Sequence, residues 1–80
     1  MSADEVLQEV ANTVGDMLGL EAKELDMDAD LKSLGVDELA EVEIMIYLED
    51  EMKVVISHED FQNTGSIRGI ADYLDKHMKK

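Results

Sequence analysis

Leu34-Gly35-Val36-Asp37-Glu38-Leu39-Ala40-Glu41-Val42-Glu43-Ile44-Met45-Ile46-Tyr47-Leu48-Glu49-Asp50-Glu51-Met52 is the stretch on which the fold turns. Asp37 is a good N-cap, because its short carboxylate can accept a hydrogen bond from a backbone amide left free in the first helical turn. The apolar positions that follow (Leu39, Val42, Ile44, Met45, Ile46, Leu48 and Met52) predict a helix over about 37–52. At about 100° per residue they cover more than half the circumference. A single packed face does not need so wide an arc. Such a helix is either central and nearly enclosed, or part of its apolar surface is for a partner. The remaining positions are mostly acidic: Glu38, Glu41, Glu43, Glu49, Asp50 and Glu51.

The flanking sequence supplies the rest of an all-α architecture. Toward the amino terminus, Ser2-Ala3-Asp4-Glu5 has the spacing of a capping box. Val6, Leu7, Val10, Val14, Met17 and Leu18 then recur on one face, and Gly19 suits the left-handed stop, giving a helix over about 3–18. Between Leu20 and Val36 the helical pattern lapses into a long loop, with Leu20, Leu25, Leu31 and Leu34 placed to pin it to the core. Val54-Val55-Ile56 is too short to stand as a sheet. Ser57 opens a short helix with Phe61, over about 58–62. After Asn63-Thr64-Gly65, Ser66 caps a last helix over about 66–78, with Ile67, Ile70, Ala71, Leu74 and Met78 inward. Its closing Lys76, His77, Lys79 and Lys80 suit the negative end of the helix dipole. The expectation is a four-helix bundle of three main helices and one short one, a single domain over positions 1–80.

Composition limits what such a domain does. The chain of 80 residues carries 20 Asp and Glu against 7 Lys and Arg, a net charge of −13. Lys76, Lys79 and Lys80 crowd the carboxyl end, leaving Lys23, Lys32, Lys53 and Arg68 to offset the rest. A surface of this sign repels nucleic acid and anionic lipid and attracts basic protein surfaces. The 45% hydrophobic content argues against disorder. With no cysteine there is neither a disulfide nor a thiolate metal site. Met1-Ser2-Ala3-Asp4-Glu5 is charged where a leader peptide is apolar, and no apolar run reaches bilayer length, so a cytoplasmic location is expected.

The segment Leu34-Gly35-Val36-Asp37-Glu38-Leu39, with Val42-Glu43-Ile44 and Leu48-Glu49-Asp50-Glu51-Met52 after it, resembles the acyl carrier protein family. There a Leu-Gly-x-Asp-Ser-Leu motif opens the second helix and an acidic run follows. The likeness covers nearly the whole chain, since Ile56 before a short third helix and Ser66-Ile67 opening a fourth, with Ala71-Asp72-Tyr73-Leu74, fall in family order. The resemblance implies an acyl-carrier-like bundle that presents thioester intermediates to fatty-acid, polyketide or related biosynthetic enzymes. It also implies a 4′-phosphopantetheine cofactor, joined by a phosphodiester to the motif serine. Here that position is Glu38, between Asp37 and Leu39, and a carboxylate has no hydroxyl to attack coenzyme A. The cofactor is therefore expected to be absent from Glu38. Ser33-Leu34 also has a serine before leucine. The family interval from attachment serine to the isoleucine before the third helix matches Glu38 to Ile56, however, not the longer interval from Ser33. Placing Ser33 at the helix start would also bury Gly35 inside the helix, at about 1 kcal/mol relative to alanine.

By the same resemblance, the partner-facing residues are Leu39, Glu41, Val42, Glu43, Ile46, Glu49 and Asp50. Leu39 and Ile46 stand seven apart, on one side of the helix. Their expected partners are basic docking surfaces of synthases, acyltransferases and phosphopantetheinyl-transferase-like proteins, met by a monomer. The alternative is a carrier-like acidic interaction or regulatory protein that transfers no acyl group. In either case Glu38 suits a helix start through the dipole. Asp26, Asp28 and Asp30 share the spacing of a calcium loop. Leu31 replaces the necessary glycine and Asp37 the bidentate glutamate, so such a loop would gather cations only loosely. His58 and His77 lack ligand spacing. No catalytic site and no metal site is expected.

Overall fold

Ser2 starts the first helix as a reciprocal cap: its hydroxyl accepts from the Glu5 amide at 3.2 Å, while the Ser2 amide donates to the Glu5 carboxylate at 3.0 Å. The computed structural model describes residues 2–78, Met78 by its backbone alone. The parts assigned from sequence to Lys79, Lys80 and the Met78 side chain lie outside the described residues. Four helices follow one another: α1 (Ala3–Leu18), α2 (Glu38–Met52), α3 (His58–Thr64) and α4 (Ile67–Met78). Among the described residues, extended backbone pairs only at an isolated antiparallel bridge between Asp30 and Ser66. The fold is all-α, as the sequence implied.

Each helix ends where local chemistry stops it. Gly19 at φ 74° closes α1 and returns its amide to the Gly15 carbonyl. Lys53 closes α2 in the same left-handed region, at φ 58°, without the freedom of glycine. Ser57 caps α3, which runs to Thr64, past the end expected near position 62. Its extra residues are held by the Thr64 hydroxyl donating to the Phe61 carbonyl at 2.6 Å, and Gly65 stops the helix. Ser66 caps α4 from outside by accepting from the Gly69 amide at 3.0 Å.

The core is one cluster that every helix feeds: Val6, Val10 and Val14 from α1, Ile44 and Leu48 from α2, Phe61 from α3, Ile67, Ile70 and Leu74 from α4. The α1 helix packs chiefly against α4 and also against α2. Met17 on this face and Leu20 in the loop do not pack as their patterns implied. Met17 is 38% exposed and Leu20 is also exposed, while Ala11, Thr13 and Gly15 are buried. The buried stripe of α1 is rotated because α4 and the chain turning at Leu20 occupy one flank; the Leu20 amide donates to the Gly15 carbonyl at 2.8 Å. Leu20 therefore pins the loop through its backbone, and Leu25 and Leu31 do so through their side chains, with Leu34 half-buried.

The long loop is more ordered than a pinned coil, with 3₁₀ turns at Ala22–Glu24 and Leu31–Leu34. Three of its acids are engaged, two within the loop and one with α4. Asp26 accepts from the Asp28 amide, Asp30 from the Lys32 amide, and Asp28 from the Arg68 guanidinium at 2.6 Å. Asp28 holds the Arg68 pKa above its ordinary value, first through that hydrogen bond and then through charge. Backbone bonds fasten the same loop to the start of α4, Arg68 amide to Met27 carbonyl at 2.9 Å and Leu31 amide to Gly65 carbonyl at 3.0 Å. The Val36 amide then donates to the Leu31 carbonyl at 3.0 Å, which sets where α2 begins. Among the described residues, no group of three or more His, Cys, Asp or Glu is arranged to hold a metal, and no helix is long and apolar enough to cross a membrane.

Candidate docking site

The first turn of α2 sits at the outer end of the long loop, where Gly35 at φ 99° makes the corner that a side chain would strain. Asp37 follows in extended conformation and accepts from the Ala40 amide at 2.8 Å. One of its oxygens is thereby committed to the helix. Glu38 is exposed in the first turn and lines a shallow cleft with Lys32, Glu41 and Gln62, between the loop, α2 and α3. The positive end of the helix dipole favours a carboxylate here.

Along α2 the wide apolar arc divides. Ile44, Leu48 and Met52 are buried, Val42 and Met45 are half-buried, and Leu39 and Ile46 are 69% and 56% exposed. Two turns separate the exposed pair, about 10 Å along the axis. Glu43 and Asp50 are exposed on the same side, and Glu41 is half-buried beside the cleft. Glu49 differs from the other acids: it is half-buried and its carboxylate accepts from the Ile56 amide at 2.9 Å. Part of that side chain holds the connection between α2 and α3, and the rest faces outward.

The sequence missed two large side chains at this surface. Tyr47 is 50% exposed, and with Met17 of α1 it walls a groove that Glu43, Ile46 and Asp50 complete. The signal available was Tyr47 itself, the widest side chain on a helix whose apolar arc already exceeded packing needs. A family model described as phosphopantetheine attachment site matches residues 8–74.

The chain belongs to that family.

A solved acyl carrier protein from Enterococcus faecalis, described for its high thermal stability, superposes with a TM-score of 0.80 at 29% sequence identity. The match covers 96% of this chain and 99% of that one. The family implies a bound 4′-phosphopantetheine, so the first turn of α2 has to be tested for a group that can carry it. Asp37 and Glu38 offer only carboxylates there, and the serine before them, Ser33, lies in the preceding 3₁₀ turn. The donor set at Glu38 does not suit a phosphodiester.

Proposed function

We propose that this chain is a carrier-type domain that works by being held, with α2 as its handle and without a prosthetic arm at Glu38. The partners are enzymes of fatty-acid, polyketide or related biosynthesis that present basic docking surfaces. The domain, one unit over positions 1–80, acts as a cytoplasmic monomer and performs no catalysis itself. The observation that carries this reading is the exposure of Leu39 and Ile46 beside Glu43 and Asp50, on a helix that buries Ile44, Leu48 and Met52.

The mechanism follows from charge and desolvation. The −13 net charge draws a basic surface in and raises the encounter rate, an effect that weakens as salt shortens the Debye length to about 8 Å at physiological ionic strength. Once docked, Leu39 and Ile46 lose water against an apolar patch, which slows dissociation. Glu41, Val42, Glu49 and Asp37 shape the edge of this surface. Glu38 contributes charge at the end where family members carry their cargo, and its carboxylate cannot form their phosphodiester linkage.

A second reading rests on Glu38 alone: a carrier-like interaction or regulatory protein that keeps the docking face and transfers no acyl group. Docking is common to both and can be tested directly. Titrating the ¹⁵N-labelled protein with a phosphopantetheinyl transferase should shift the amides of Leu39, Glu43, Ile46 and Asp50. The double variant Leu39→Ala, Ile46→Ala should bind at least about tenfold more weakly. Unchanged affinity in that variant would refute the handle.

A further inference from the structure

Beside Leu39 lies a surface that shares Glu43, Ile46 and Asp50 with the handle and extends it onto α1. Two grooves adjoin between α1 and α2 and share Met17 and Tyr47 as their common wall. One is completed by Glu43, Ile46 and Asp50, the other by Thr13 and Asp16. The floor is thus a thioether, an aromatic ring and a branched aliphatic chain, all substantially exposed. The rim is three carboxylates, and neither groove is lined by a base. Exposed apolar side chains of this size, contiguous and ringed by polar groups, mark an interaction surface.

We infer that the groove between α1 and α2 binds a basic amphipathic helix of a partner protein, with a bulky apolar anchor seated between Met17 and Tyr47. This rests on the reading that the chain acts by being held, and it adds a second contact on α1. Three observations select the occupant. The rim carboxylates Asp16, Glu43 and Asp50 call for lysine or arginine opposite them. A second copy of this chain would set like charges face to face, at −13 on each molecule. Among the described residues there is no sheet edge to pair with an extended strand, whereas the trough between two helices accepts the ridge of a third. Met and Tyr suit such a site, because the thioether adapts to the anchor and the ring supplies a broad rigid wall.

The probe is a synthetic peptide of about 18 residues, five helical turns, made of lysine and leucine with leucines at i, i+3, i+4 and i+7. A control of the same composition has its leucines scattered around the helix. Calorimetry should give the amphipathic peptide at least about tenfold higher affinity than the control. Amide shifts should centre on Thr13, Asp16, Met17, Ile46 and Tyr47. The double variant Met17→Ala, Tyr47→Ala should lose about tenfold in affinity for the amphipathic peptide. Its free amide spectrum reports whether the fold is kept, and Met17→Glu alone gives a second route to the same loss.

Equal affinity for the two peptides would reduce the attraction to bulk charge and overturn the inference. Shifts confined to Leu39 and the α2 acids, with α1 silent, would also overturn it. So would peptide-free dimerisation through Tyr47 in sedimentation, since a second copy would then be the occupant. The transferase titration of α2 is a separate arm. Docking there without peptide in the groove removes only the present inference.

Discussion

Gly69→Ala is a substitution that intuition about helices gets wrong for this fold. Gly69 lies in the first turn of α4, where alanine is ordinarily better by about 1 kcal/mol. Here an added Cβ would run into the Thr64 carbonyl oxygen and stand 3.0 Å from its carbon and 3.3 Å from the Ser66 hydroxyl oxygen. The nearest atoms are backbone, so relief requires moving the end of α3 away from the start of α4. Crowding of this kind costs about 1–3 kcal/mol, and disturbing the Ser66 cap costs about 1 kcal/mol more. Set against the propensity gain, the net loss is about 2 kcal/mol. For a domain of this size, that lowers the melting temperature by about 8–16 °C. The strain should also reach the site. Gly65, between the two helices, accepts from the Leu31 amide, and Leu31 positions the entry to α2. Thermal unfolding followed by circular dichroism tests the first part, and amide exchange at Leu31 and Val36 tests the second. A melting temperature equal to or above that of the parent would mean that α3 and α4 accommodate the added methyl without strain.

Lys53→Gly should act in the opposite direction. The residue holds a left-handed φ of 58° at the end of α2, and releasing that strain should raise stability by about 1 kcal/mol in urea unfolding. The start of α1 should depend on pH through Glu5, whose carboxyl is held below its ordinary value by the Ser2 amide and then by the Ser2 hydroxyl. A lowered folded pKa means the cap's contribution is fully present above the ordinary glutamate value and is lost as pH falls through the lowered one. Amide protection factors at residues 4–6, taken relative to the unstructured rate at each pH, should therefore fall at acid pH, and Glu5→Gln should remove that dependence.

What could be read from sequence was local. Ser2 with Glu5, Gly19, Asp37 and Ser57 announce helix ends because each satisfies backbone groups within its own turn. The excess width of the α2 apolar arc likewise anticipated exposed hydrophobic residues, and Leu39 and Ile46 are among them. What escaped depends on partners far along the chain. Which edge of α1 is buried was decided by α4, so Met17 turned outward although its spacing fitted the inner face. The order of the long loop comes from bonds to Gly65 and Arg68, and no pattern within the loop itself specifies them. Tyr47 became half of a groove only when α1 placed Met17 beside it. Helix α3 gained its last turn from a hydroxyl of Thr64 that lies in a stretch rich in turn-forming residues.

The absence of a tether at the head of α2 is tested most directly by weighing the intact protein after incubation with coenzyme A and a phosphopantetheinyl transferase, alongside its Glu38→Ser variant. The parent mass should stay unchanged and the serine variant should gain the phosphopantetheine group. Modification of the parent, at Ser33 or any other hydroxyl, would contradict it, as would refusal of the Glu38→Ser variant.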